Sequence, residues 1–122
     1  MDLGQLRDMV RHGMEVGGHG ADHVWLDALR DEGQAEEIRQ TVGMLSRVYD
    51  KVPSGWVMSY PYGGHNDKTV SLLQNAGCGF GMTVDIGLDD LSDTYRMKRL
   101  DTTKLPFRGD AEMCEYTRKV CS

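Results

Sequence analysis

The sequence lacks a long apolar run, a cluster of basic residues, a dense cysteine framework and a Pro/Gly-rich linker. Each absence excludes a class. Spanning a bilayer takes about 20 consecutive apolar residues, and no stretch approaches that. The 14 Lys and Arg residues are scattered among 19 Asp and Glu, for a formal net charge of −5. Nucleic acids and anionic membrane surfaces need clustered positive charge, so neither is an expected partner. The opening Met1-Asp2-Leu3-Gly4-Gln5-Leu6-Arg7 mixes charge into a helical pattern and holds no signal-peptide core. Three cysteines, Cys78, Cys114 and Cys121, form an odd set without CxxC spacing. They read as free thiols in a reducing compartment, not as a disulfide scaffold or thiolate zinc site, and a Cys114–Cys121 pair would be only an addition to the tail. A cytoplasmic location is the expectation.

What is present suits one soluble globular domain: 122 residues, 39% hydrophobic and 27% charged. A chain of this size can bury roughly two-thirds of its unfolded surface. Leu3, Leu6, Met9 and Val10 fall at helical spacing, and Gly13 ends that pattern. Met14–Gly18 is short and β-compatible. Ile38, Val42, Leu45 and Val48 share one face of a second helix, with Glu36 and Glu37 near its start. Trp56-Val57-Met58 reads as a buried strand that Pro61 must end. Asn66 is an N-cap for a third helix carrying Val70, Leu73 and Ala76, which stops at Gly77. Phe80, Met82 and Val84 alternate as in a half-buried strand, and Met97–Leu100 supplies one further strand after a loop rich in aspartate. Such alternation implies parallel strands with crossover helices, an α/β fold whose functional groups sit at the C-terminal ends of strands.

Two segments there carry chemistry. His19-Gly20-Ala21-Asp22-His23 spaces two imidazoles four residues apart, which on a helical turn puts both within reach of one divalent ion. The plainer alternative is two polar residues at a helix start. Tyr60-Pro61-Tyr62-Gly63-Gly64-His65-Asn66 joins a strand end to a helix cap. Pro61 fixes the backbone, the tyrosines offer rings for sugar faces, and an N–H beside Pro61 could serve a developing oxyanion. The alternative is an ordinary βα turn with tyrosines as rim packing. His65 reads as a solvated turn residue with substrate contact as the second option, and His12 as structural at a helix C-terminus.

Together the segments resemble the polysaccharide deacetylases (carbohydrate esterase family four, the nodulation-deacetylase homology domain). Glu15-Val16-Gly17-Gly18-His19-Gly20-Ala21-Asp22-His23 resembles that family's second motif, Glu-Ile/Val-Gly-X-His-X-X-X-His. Ser59-Tyr60-Pro61-Tyr62-Gly63 resembles its third, in a Tyr-Pro-Tyr-Gly variant. Gly77–Thr83 and Tyr95–Asp101 resemble the strands that follow. The resemblance spans residues 1–105, with 106–122 left as a tail bearing a short helix at Ala111–Arg118. It implies a partial (β/α) barrel and hydrolysis of an N-acetyl group on an amino sugar or glycan, assisted by a divalent metal, zinc by preference. On that basis His19 and His23 are the metal ligands, Tyr62 offers its backbone N–H to the oxyanion, and Tyr60, Pro61, Tyr62 and His65 contact substrate.

The departures from the family pattern are equally specific. The Thr-Phe-Asp-Asp-Gly segment that supplies the base and a third ligand has no counterpart; Asp22 lies within the histidine turn, where it reads as a cap. Ser59 stands where many members carry an arginine. No histidine follows His65, so the Leu-X-His motif is absent as well. The expectation is an N-terminally truncated domain, inactive by itself, that self-associates or pairs with a complementing N-terminal fragment. A non-catalytic glycan- or partner-binding half-barrel is the alternative.

Overall fold

The computed structural model describes residues 1–89 and 91–102. Helix α1, Leu3–Arg11, opens with a reciprocal capping box between Asp2 and Gln5. It closes at His12, whose Nδ1–H donates to the Asp8 carbonyl at 2.7 Å, and Gly13 follows at φ 86°.

The expected strand over Met14–Gly18 shrinks to a single parallel bridge, Gly18 to Met58. Gly18 N donates to Val57 O at 2.8 Å and Ser59 N to Gly18 O at 2.9 Å. Glycine is required there by close approach. A Cβ at Gly17 would stand 2.7 Å from the Val57 carbonyl oxygen, and one at Gly18 would stand 2.5 Å from Thr41 Cγ2.

Helix α2, Asp31–Val48, buries Ile38, Leu45 and Val48, with Val42 half-buried on the same face. Because it begins at Asp31, the acids of its first turn are Asp31 and Glu32, and Glu37 lies inside the helix, buried. Strand β1, Trp56–Ser59, alternates buried and half-buried residues. Helix α3, Asp67–Asn75, starts at the Asn66 cap, where Asn66 and Thr69 exchange hydrogen bonds, and the chain turns away at Gly77, φ 78°. Strands β2, Cys78–Ile86, and β3, Met97–Arg99, complete a sheet of order β1-β2-β3, parallel throughout. The α/β class with a crossover helix, α3, is thus observed.

The phase of β2 corrects the sequence reading. Trp56 pairs with Cys78 but Val57 pairs with Phe80, so Gly79 is an extra residue and the alternation reverses after it. Cys78, Gly81 and Thr83 are buried, while Phe80 and Val84 are 39% and 46% exposed. Gly81 has to be glycine because any side chain would overlap the Tyr60 hydroxyl and the Tyr95 carbonyl. The core joins Leu26, Ile38, Leu45, Trp56, Met58, Tyr60, Leu73 and Cys78 between the helices and one face of the sheet. No helix among the described residues is long and apolar enough to cross a membrane. The expected helix at Ala111–Arg118, the boundary at 105/106, Cys114 and Cys121 lie outside the described residues.

Candidate active site

His19 and His23 occupy one loop leaving the bridge at Gly18. This loop is not helical: Gly20 has φ 76° and His23 has φ 54°, both left-handed. The expected helical turn is therefore wrong, yet the rings still meet, with centroids 4.8 Å apart and planes tilted 59°. The cause is a tertiary contact. Glu37 Oε2, on α2, accepts from Ala21 N at 2.8 Å and Asp22 N at 3.2 Å, folding the loop back on itself. A Cβ at Gly20 would lie 3.2 Å from that oxygen and 3.4 Å from Pro61 Cγ, so the loop is seated on both neighbours. Asp22 gives its amide to Glu37 and its side chain is exposed; it is no helix cap. His19 Nδ1 lies 2.8 Å from the Ser59 carbonyl. A carbonyl only accepts, so Nδ1 carries the proton and the lone pair sits on Nε2.

The second loop follows β1. Pro61–Gly63 forms a 3-10 turn in which Tyr62 adopts φ 57°, ψ 8°. Gly63 N donates to Tyr60 O and Gly64 N to Pro61 O. A non-glycine residue in this region costs of order 1 kcal/mol, and both histidine loop and tyrosine loop contain one. Tyr62 is exposed and its ring meets His23 edge-on at 4.8 Å.

Tyr60 lies beneath this surface, not on it. It is 1% exposed, its hydroxyl donates to Tyr95 O at 2.8 Å, and its ring stacks on His65 at 4.6 Å. Burial pushes its phenol well above the usual tyrosine range, so it remains a protonated donor. Its ring faces are covered, which removes it from the candidate sugar contacts, and Pro61 is buried as well. His65 is half-buried, donating from Nδ1 to Gly63 O at 2.8 Å, in place of the solvated turn residue expected. Its packing on Tyr60 joins the turn to the core.

Three site residues escaped the sequence reading. Trp25 stacks on Tyr62 at 5.0 Å with planes 8° apart. Asp27 lies next to Gly64, where a Cβ would come within 2.5 Å of its Oδ1. Glu37 shapes the histidine loop from α2; Glu37, Thr41 and Leu45 follow one another at four-residue steps, which marks the acid as lying on the buried stripe of the helix. Among the described residues no group of three or more His, Cys, Asp or Glu surrounds the histidine pair. A groove of about 420 Å³ runs instead along the sheet edge between Val16–Gly18 and Trp56–Val57, away from His23 and Tyr62.

Comparison with known proteins bears on these loops directly. The sequence model of the polysaccharide deacetylases, described as "Polysaccharide deacetylase", matches residues 3–81. The chain is 25% identical over 83 residues to YxkH of Bacillus subtilis (strain 168), whose name places it among the polysaccharide deacetylases; the match covers 68% of this chain and 29% of that one. In structure the chain is similar to the Streptococcus pyogenes deacetylase PplD in complex with acetate, with a TM-score of 0.73, 21% identity, and coverage of 82% of this chain and 44% of that one. It is also similar to IcaB from Ammonifex degensii (0.69, 23%, covering 81% and 46%) and to a family 4 carbohydrate esterase from Streptomyces lividans in complex with acetate (0.59, 22%, covering 70% and 43%). The chain therefore spans less than half the length of each of these proteins. The likeness identifies the three-stranded sheet and its helices as part of a (β/α) barrel of the deacetylase type.

Proposed function

Because this chain belongs to the polysaccharide deacetylase family, we propose that its two loops form the histidine half of a site that removes N-acetyl groups from an amino sugar or glycan. The observation that carries this reading is the meeting of the His19 and His23 rings, 4.8 Å apart, beside the Pro61 turn.

The residues present fit two positions of a divalent-metal coordination set. The Ser59 carbonyl holds the His19 proton on Nδ1, which turns the Nε2 lone pair outward, the orientation that a hydrogen bond to the other ring nitrogen imposes on a ligating histidine. His23 is the second ligand, fixed by the backbone that Glu37 folds and by the edge of Tyr62. A bound zinc ion would polarise the acetyl carbonyl and lower the pKa of a coordinated water. This chain's own part is to hold the ion, to exclude alternative ring orientations and, at the Tyr62 N–H, to donate to the oxygen on which charge develops. Among the described residues no third His, Cys, Asp or Glu groups with the pair as a metal-binding set. Deacetylation therefore belongs to an assembly that brings a carboxylate to the histidines. The uncovered face carrying Phe80 and Val84, and the edge at Gly18, support pairing with a complementing segment or a second copy.

The lack of a grouped carboxylate among these residues favours a second reading for the chain alone, a half-barrel that binds glycan or partner without turnover. Calorimetric zinc titration and acetate release from a chitin oligomer test both. The 122-residue chain should bind one zinc ion, His19→Ala should abolish binding, and acetate release by the chain alone should be absent. Failure of the unaltered chain to bind zinc sinks the metal reading. His19-dependent acetate release by the chain alone would show that it holds its own base.

A further inference from the structure

Glu37 is 5% exposed on the inner stripe of α2, and it enters no ion pair among the described residues. Burying a carboxylate without a cation is costly unless fixed dipoles take the place of water. Here the dipoles are two consecutive amides, Ala21 N–H at 2.8 Å and Asp22 N–H at 3.2 Å, both donating to Oε2. Successive N–H groups converging on one oxygen make a small anion nest. This nest lies between the two histidines along the chain. One turn further on α2, Thr41 holds the other end of the segment. Its hydroxyl donates to Glu37 O at 2.8 Å, and a Cβ at Gly18 would stand 2.5 Å from its Cγ2. Residues 18 and 20–22, which bracket His19, are thus seated on a single turn of one helix.

The two rings are not held alike. His19 is tied to β1 through its Nδ1–H and the Ser59 carbonyl. His23 is placed by ring contacts, with His19 and with Tyr62. Its backbone is left-handed at φ 54°, as is Gly20 at 76°, so the span between the rings needs support from outside to keep its path. That support comes from Glu37. A ligand pair ordered in advance spares a binding ion the cost of ordering it. We propose that Glu37 is a positioning residue for the histidine pair: its carboxylate, clasping the Ala21 and Asp22 amides, sets the separation of the His19 and His23 rings before any ion arrives, and with it the affinity for the ion. The affinity half rests on the metal reading above; the ring separation does not.

Two replacements separate positioning from mere stability. Glu37→Leu fills the same place on the apolar stripe but has no acceptor, whereas Glu37→Gln keeps an acceptor oxygen without the charge. Each full chain is studied metal-free by nuclear Overhauser contacts between ring protons, then titrated with zinc by calorimetry. The Trp56 Nε1–H resonance, from a buried ring donating to Ala76 O at 3.1 Å, reports an intact core. In the unaltered chain the His19–His23 and His23–Tyr62 contacts should be present, and the Ala21 and Asp22 amides should resist hydrogen exchange. Glu37→Leu should keep the Trp56 signal and melt close to the unaltered chain, yet lose both contacts. Its zinc affinity should fall about 10- to 100-fold, the range for removing a group that orients a ligand. Glu37→Gln should recover part of both losses, and Glu36→Gln, at the exposed neighbouring position, should change neither. Retained ring contacts or undiminished zinc affinity in folded Glu37→Leu overturns the proposal. A role confined to stability predicts that melting temperature and affinity fall in step, and that result overturns it too. So does free exchange of the Ala21 and Asp22 amides in the unaltered chain, a measurement that needs no variant to fold. If the unaltered chain shows the contacts but binds no zinc, the metal reading fails, and the ring contacts of Glu37→Leu still decide what Glu37 does.

Discussion

The region that carries the histidines and the region that carries β3 are held by different forces. Around β1, Trp56, Met58 and Tyr60 are buried against Leu45 and Leu73, the last two at 0% exposure. No residue of β3 itself is buried: Met97 is half-buried, Lys98 and Arg99 are exposed, and Leu88 and Leu91 in the preceding loop are 57% and 62% exposed. Polar links take over there. Tyr95 OH donates to Cys78 O, Tyr60 OH to Tyr95 O, and Arg96 bridges Asp93 and Asp67. Apolar burial is non-directional and is not weakened by ionic screening, whereas exposed ion pairs are weak and screened. The site-bearing half should thus be the stable unit and the β3 half its conditional extension.

The largest effect expected on that division is from Leu73→Ala. Leu73 is fully enclosed in the core between α3 and the sheet, so its truncation leaves a cavity and should cost about 3 kcal/mol. Domains of this kind have only about 5–15 kcal/mol in all. Urea unfolding followed by circular dichroism should show the midpoint fall sharply, with loss of zinc binding at the same denaturant concentration. Phe80→Ala, on the uncovered face, should cost under about 0.5 kcal/mol. Equal costs for the two would erase the distinction between covered and uncovered residues.

A smaller effect sharpens the comparison at the sheet edge. Gly18→Ala drives a methyl group into Thr41 and Trp56, with approaches of 2.5 Å and 2.9 Å, and should cost about 1–3 kcal/mol. Gly43→Ala is the control on α2, where a Cβ meets nothing within 4 Å; it should stabilise by about 0.5–1 kcal/mol through helix propensity. Thermal melts of the two variants should move in opposite directions. If Gly18→Ala melts like the unaltered chain, the bridge to Met58 contributes nothing.

What the sequence disclosed follows the range of the interactions involved. The α3 start was legible because Asn66 and Thr69 settle it within three residues. The β1 strand and its end at Pro61 were legible because proline acts on its own backbone. The shape of the histidine loop was not, because the carboxylate that folds it, Glu37, comes from a helix fifteen and sixteen residues away. Tyr60 looked like a surface ring because its partner, Tyr95, lies 35 residues downstream. The phase of β2 was lost to Gly79, since a bulge exists only relative to the strand it pairs with. Short-range chemistry named the candidate residues; tertiary contacts decided which of them face solvent.

The smallest effect separates the two regions by acidity. The Asp93 carboxyl is held below its ordinary value of 3.8, first by its hydrogen bond to Arg96. A carboxylate whose folded pKa is depressed stabilises the structure above the unfolded pKa and loses that contribution as the pH falls through the folded one. Asp93 is exposed, so the gain is slight, but it falls on β3 and not on β1. Between pH 6 and pH 3 the protection of β3 amides against hydrogen exchange should drop by a factor of up to about five relative to the amide of Met58, and Asp93→Asn should remove most of that difference. Added salt should reproduce part of the loss at neutral pH by screening the same pair. Uniform loss of protection across β1, β2 and β3 on acidification would mean that the sheet opens as one unit, and that the polar links of β3 are no weaker than the packing beneath the histidines.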